Sequence, residues 1–189
     1  MAGIGTTNGG FVSIGYGSTP RDQATCLGIG ATADFPGESV INNGAFATYG
    51  DCKVGLFTSR MTTTNATPTE VGTTQASVSG VGTAPTQRIA CSLNSTYLFD
   101  CHIVARNTGS AGNAAAWTLQ FAINVDGTAS TTAISSLVKS QIYTVGTTTG
   151  WDVTATADTT NGRPNISVTG AAATTIRWVC SIRMTKVSN

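Results

Sequence analysis

The chain has 189 residues, a formal net charge of +1, and only 10% Asp, Glu, Lys and Arg, against about 25% in ordinary globular domains. Ten Lys and Arg balanced by nine Asp and Glu give no basic footprint for counterion release, which speaks against a nucleic-acid partner. A 40% apolar fraction supports a packed core, so the chain is read as one or two small folded domains with a neutral surface of Thr, Ser, Asn, Gly and Ala. The opening MAGIGTTNGGF lacks a basic stretch and a continuous apolar stretch, so no secretory leader is expected. No apolar run approaches the roughly 20 residues that span a bilayer, and no membrane partner is expected.

Residues 1–60 carry a glycine every few positions, and their apolar runs are too short for sandwich strands. Four strand-like pieces recur: Ser13-Ile14-Gly15-Tyr16-Gly17, Leu27-Gly28-Ile29-Gly30-Ala31, Ser39-Val40-Ile41-Asn42 and Lys53-Val54-Gly55-Leu56. Their central residues Ile14, Ile29, Ile41 and Val54 stand 15, 12 and 13 apart, which predicts β-roll-like coils of one strand and one return each. Coils this small cannot bury their own apolar face, so they must stack and associate. An N-terminal arm held by another subunit is also expected, because free ends fray.

Residues 61–85, rich in Thr, Ser, Gly and Ala with two prolines, read as a linker or an extended arm lying on a neighbour. From residue 86 to 189 the period-2 alternation of half-buried strands is clear. Tyr97, Phe99, Cys101, Ile103 and Ala105 oppose Thr96, Asp100, His102 and Arg106. Trp117, Leu119, Phe121, Ile123 and Val125 repeat the pattern, followed by the turn pair Asp126-Gly127. Trp151, Val153, Ala155 and Ala157 form another inward set, and Asp158 to Gly162 signals a hairpin into Ile166 and Val168. Ile176, Trp178, Cys180, Ile182 and Met184 make the last inward set. With Gln87–Leu93 and Leu137–Val145 the total is about seven strands, an antiparallel β-sandwich. The fold class is all-β: Gly-rich β-roll-like coils, then the sandwich.

Two sets of segments carry family resemblances. Ser13-Ile14-Gly15, Leu27-Gly28-Ile29-Gly30-Ala31 and Ser39-Val40-Ile41 resemble the β-roll of trimeric autotransporter adhesin heads over residues 12 to 57, with Arg21, Asp34-Phe35-Pro36 and Glu38 interrupting. The second set comprises Ile103 to Asn107, Ala115-Ala116-Trp117, Trp151 to Asp158, and Ile166 to Gly170 running on to Ile176-Arg177-Trp178-Val179. In that order these are similar to terminal domains of tailed-bacteriophage virion proteins, of the fibre and decoration type, over residues 86 to 187. The resemblance implies a homotrimer, a location on the virion after assembly in the host cytoplasm, and a non-enzymatic structural role.

The residues supply little for chemistry. Cys26, Cys52, Cys91, Cys101 and Cys180 form an odd set without CxxC, so zinc is not expected, and Cys101 and Cys180 read as small buried hydrophobes in a reducing compartment. The single histidine, His102, shares a strand face with Asp100 and is expected in a small surface or subunit-interface network rather than beside a nucleophile. Of the acids Asp22, Asp34, Glu38, Asp51, Glu70, Asp100, Asp126, Asp152 and Asp158, the same-face pair Asp152 and Asp158 stands about 20 Å apart at strand rise, too far for glycoside hydrolysis. Gly15-Tyr16-Gly17 and Gly28-Ile29-Gly30 lack the following helix of a phosphate loop. Trp117, Trp151 and Trp178 lie in register with the core side, so Tyr16, Phe35 and Phe46 are the candidate exposed aromatics. No catalytic, cofactor-binding or metal residues are assigned, no cofactor is expected, and the chain is read as not an enzyme. The leading reading is a trimeric capsid cement or decoration protein contacting the major capsid protein. The alternative is a short tail-fibre knob or adhesin, binding a host glycan or receptor through the turn-rich tips 107–113 and 147–150.

Overall fold

The computed structural model describes residues 12–15, 17–19, 24–35, 37–72, 88–109 and 112–189. The expected N-terminal arm, Tyr16, Arg21, Asp22 and the stretch 73–85 lie outside the described residues. In chain order the strands are β1 (Val12–Ile14), β2 (Thr25–Ile29), β3 (Ser39–Asn43), β4 (Cys52–Thr63), β5 (Thr69–Glu70), β6 (Ser95–Asn107), β7 (Ala114–Val125), β8 (Ala133–Val145), β9 (Asp152–Asp158), β10 (Arg163–Thr169) and β11 (Ile176–Ser188). One 3-10 turn, Ala129–Thr131, precedes β8. The all-β expectation holds.

Eight strands form one mixed sheet in the order β1-β2-β3-β4-β11-β6-β7-β8, and β5-β10-β9 form a second. β11 is the centre of the large sheet because it alternates buried and exposed over most of its length and pairs antiparallel with both β4 and β6. Its inward Trp178 packs against Trp117 at 5.7 Å and Trp151 at 6.0 Å, and its indole N–H donates to Thr63 Oγ1 at 2.9 Å. Phe99 stacks on Phe121, and Val153, Ala155, Ile166 and Val168 close the core from the small sheet. Each such large side chain contributes roughly 1.5–3 kcal/mol on burial. All three tryptophans are core residues, as their register indicated.

One predicted strand is corrected. Residues 88–93 of the Gln87–Leu93 stretch belong to no strand. The alternation of the sequence is not kept in burial: Ile89 is buried between more exposed Arg88 and Ala90, but Cys91 is half-buried and Leu93 is exposed. The backbone leaves the ladder, and the Ser92 N–H donates to the Tyr97 hydroxyl instead.

The Gly-rich region does coil. β1, β2 and β3 lie parallel, and Thr19 bridges Thr32 on the return side. The register aligns Ile14 with Leu27, Leu27 with Ile41, and Ile41 with Val54. Leu27, not Ile29, is therefore the residue in step with Ile14 and Ile41. Val54 joins through an antiparallel pair, so the fourth predicted repeat is the start of β4 rather than a coil. The interior holds only small groups, Ala24, Cys26, Ala31, Ala33 and Val40, while Ile14, Leu27, Ile29 and Ile41 face outward.

Gly28 and Gly30 are among the glycines that the coil requires. Gly28 has φ +107, and a Cβ there would overlap the Asn42 carbonyl oxygen of the next coil. Gly30, at φ +65, lies under the Tyr49 ring, which a Cβ would strike. Gly28→Ala should therefore cost on the order of 2 kcal/mol or more in denaturant unfolding. Gly44→Ala, where φ is +143 but no atom lies within 4 Å, should cost less. Equal losses would show that the close approach of coils contributes nothing.

Candidate functional site

Three polar clusters stand out, and the first is buried. Lys53 of β4 and Lys186 of β11 are directly opposed in the ladder and both point inward, an arrangement of like charges that the loop before β3 neutralises. Lys53 Nζ lies 2.8 Å from Glu38 Oε1, 3.0 Å from Asp34 Oδ2, and donates to Glu38 Oε2 at 3.0 Å and the Thr32 carbonyl at 3.1 Å. Lys186 Nζ reaches Asp34 Oδ2 at 3.4 Å and Ser92 Oγ at 3.2 Å, above the Tyr97 ring. Glu38 and Lys53 have no exposed side-chain surface. Burial pushes the Glu38 carboxyl up, against the pull of the Lys53 ammonium. The cluster fastens the coils to the sandwich and offers a substrate no access. Beside it, Asp51 accepts the N–H groups of Phe46, Ala47 and Thr48 at 3.1, 2.7 and 2.8 Å, which holds its carboxyl down at about 2.

The second cluster borders a shallow depression of about 280 Å³ lined by Arg88, Ile89, Ala90, Cys91, Asn161 and Arg163. The Arg163 guanidinium bridges two carboxylates, Glu70 at 3.0 Å and Asp158 at 2.8 Å, and Arg88 Nε adds a contact to Glu70 at 3.1 Å. Burial pushes Glu70 up despite both guanidinium groups. Asp158 is lowered: burial opposes this, but hydrogen bonds from Asn161 and Arg163 outweigh it. Two carboxylates with divergent ionisation are what acid–base work requires, yet here both are tied to one buried guanidinium. The network binds β5 to the β9–β10 hairpin. Sequence reading missed it because Glu70, Arg88 and Arg163 lie far apart in the chain.

The third cluster is on the outward face of the large sheet. His102 Nε2 lies 3.6 Å from Asp100 Oδ1, and Gln120 Nε2 donates to the same oxygen at 3.3 Å, the small exposed network expected of this histidine. Asp152 pairs instead with Lys139 at 2.7 Å, and Asp158 also caps its turn by accepting the N–H groups of Thr160 and Asn161. Phe35 is corrected as an exposed contact: it is buried edge-on against Phe57 of its own chain at 4.8 Å. Phe46 is 79% exposed. All five cysteines are free, with Cys26, Cys101 and Cys180 buried. Among the described residues no group of three or more His, Cys, Asp or Glu could hold a metal ion, and no helix is long and apolar enough to cross a membrane.

The two loop tips named from the sequence meet at one end of the sandwich. Asn113 Oδ1 accepts the Thr147 N–H at 3.1 Å, while the Asn113 carbonyl accepts the Asn107 N–H at 3.0 Å. Residues 110 and 111 of the first tip lie outside the described residues. The coils join β4 at Val54 to Leu56, near the start of this twelve-residue strand, and the tips adjoin its far end. The separation is roughly 30 Å at strand rise.

No family model and no curated protein matches the chain. Among solved structures it is similar to the tailspike protein gp49 of Acinetobacter baumannii bacteriophage Fri1, described as a capsular polysaccharide depolymerase. The TM-score is 0.38 at 15% identity, covering 79% of this chain and 20% of that one. The likeness is thus to a phage tail-associated protein, of which this chain spans about a fifth of the length. The expectation that the chain is not an enzyme is withdrawn on this finding, because the similar structure belongs to an enzyme.

Two predictions follow from the clusters. Lys53→Met strands a buried Glu38 charge and should cost about 3–5 kcal/mol at neutral pH. A raised carboxyl means that the folded state binds the extra proton first, so this variant should regain stability as pH falls from neutral toward about 4.5, the ordinary glutamate value, with the gain complete below it. Adding Glu38→Gln should restore most of the loss, and a double variant as unstable as the single would refute the account. Asp51 has the opposite sign: its contribution is complete above about 4 and is lost as pH falls toward 2. Its carboxyl signal in an NMR titration should therefore move at about 2, and a midpoint near 4 would contradict the three-donor loop.

Proposed function

We propose that the chain is a subunit of a phage tail-associated surface assembly, a trimer that acts as an adhesin toward a host-surface glycan. The observation that carries this reading is polarity of the molecule: an apolar assembly end and a hydroxyl-rich recognition end. At the coil end, Ile14, Leu27, Ile41, Val54 and Leu98 line successive strands on the outward face, with Thr185 between Val54 and Leu98 in the same row. Ile14, Leu27, Ile41 and Leu98 are all exposed, and the row contains no charged residue. An aliphatic ladder of this length is costly in water and self-complementary, so further copies of the chain are its occupants.

The edge supports the same reading. β8 is thirteen residues long and exposed on both faces, carrying Leu137, Val138, Ile142 and Tyr143 to solvent. Its ladder with β7 is interrupted near Ala116/Trp117 and Gln120/Ala122, irregularities that blunt an edge without covering it. At the opposite end, the described residues of the tips, 107–109, 112–113 and 147–150, carry Asn, Thr and Gly, side chains and backbone suited to hydrogen-bonding sugar hydroxyls.

Sedimentation of the purified chain should give a trimer, and Leu27→Asp with Ile41→Asp should give folded monomers. Antibody labelling of intact particles should mark the tail, and Asn113→Ala with Thr147→Pro should abolish adsorption of the purified protein to host cells while leaving the trimer whole. Label spread over the head, with host adsorption unaltered by the loop variant, would replace this reading with capsid decoration.

A further inference from the structure

Three arginines from distant parts of the sequence meet on the outward face at the loop-tip end. Arg177 of β11 and Arg106 of β6 are direct partners in the ladder. Arg60 of β4 lies one position diagonal to Arg177, whose β4 partner is Thr62 while Arg60 faces Val179. All three are exposed, and among the described residues none forms an ion pair. Like charges directly opposed across strands destabilise a sheet. Among the described residues, the nearest carboxylate on this face by strand register is Asp100, six residues along β6 from Arg106, about 20 Å at strand rise, and it is engaged by His102 and Gln120. The neighbouring row, Arg60, Val179, Val104, Ala116 and Tyr143, presents exposed Val179, Val104 and Tyr143 beside the guanidinium groups.

We propose that Arg60, Arg106 and Arg177, with Tyr143, form a binding site for a carboxylate-bearing saccharide chain. The proposal rests on the adhesin reading and names the class of glycan. Strands about 4.8 Å apart space Arg106 and Arg177 at about the length of one sugar residue, Arg60 stands about 7–8 Å off on the diagonal, and each guanidinium fork matches a carboxylate bidentately. Tyr143, two strands from Arg106 and about 10 Å away, offers an aromatic plane to a sugar ring. Among the described residues, a second copy of this chain has little with which to supply the anion. Among the described acids only Asp126 is an exposed carboxylate with no cationic partner, and it already accepts from Asn124. A duplex nucleic acid fits poorly as well, since the whole chain carries a net charge of only +1.

The test uses the full chain and polygalacturonate, its carboxyl-reduced neutral form, and a 20-base-pair duplex DNA as probes. Polygalacturonate is expected to bind, the reduced form at least tenfold more weakly. Each of R60Q, R106Q and R177Q should weaken binding several-fold and lower the slope of log affinity against log salt by about one. R177Q should leave the thermal midpoint unchanged or raise it, because it removes an opposed like-charge pair, so lost binding cannot be lost folding. R183Q, on the same face but opposite Asp100 in the ladder, should bind as the native chain does. Absent polygalacturonate binding, equal binding of the reduced polymer, tighter binding of the duplex, or dissociation of the trimer in R106Q and R177Q would each overturn the proposal. Host-cell adsorption that survives all three substitutions yet fails in the loop variant would sink this site alone. Adsorption absent from the native chain would sink the adhesin reading itself.

Discussion

The buried pairing of Lys53 and Lys186 with Asp34 and Glu38 is the constraint on which the rest depends. A Gly-rich coil with an interior of alanine, cysteine and one valine has too little apolar surface to stand alone. It stands because the loop between β2 and β3 sends two carboxylates to two lysines that the sandwich already holds in register. The charges are satisfied only when both parts are in place. Neither the two opposed lysines nor the isolated Glu38 is tolerable without the other.

That clasp gives the molecule its polarity. The coils extend the large sheet at one end, so the outward aliphatic side chains of β1 to β3 continue the row that runs through Val54 and Leu98. The sandwich core then runs away from the clasp through stacked Phe99 and Phe121 to the tryptophan cluster, which anchors the far end beneath the loop tips. Trp178 bonds Thr63, the last residue of β4, and the Asn113 contacts fix two tips on that rigid base. The proposed assembly end and the proposed recognition end are thus positioned by one continuous sheet.

The sandwich was legible because period-2 alternation survives in single strands: the inward sets of β6, β7, β9 and β11 can be read directly from the sequence. The coil was legible as a repeat but not in register, since Leu27 and Ile29 are chemically interchangeable and only the placement of Gly28 against Asn42 selects between them. Residues 88–93 alternate in sequence but have neither the ladder nor the alternating burial of a strand, with Leu93 exposed, which periodicity alone cannot distinguish. Of the polar sites only the His102–Asp100 pair, two residues apart on one strand face, was legible. Glu70 with Arg163, Lys53 with Lys186, and Arg106 with Arg177 are brought together by strand pairing across long stretches of chain, and nothing local marks them.

The most direct test of this polarity is amide hydrogen exchange on the purified protein, free and bound to host surface material. The account predicts that β1 to β3 are already protected in the free protein and do not change, while protection is gained over residues 104–113 and 143–150. Protection gained instead over β1 to β3, with the loop end unaffected, would contradict it.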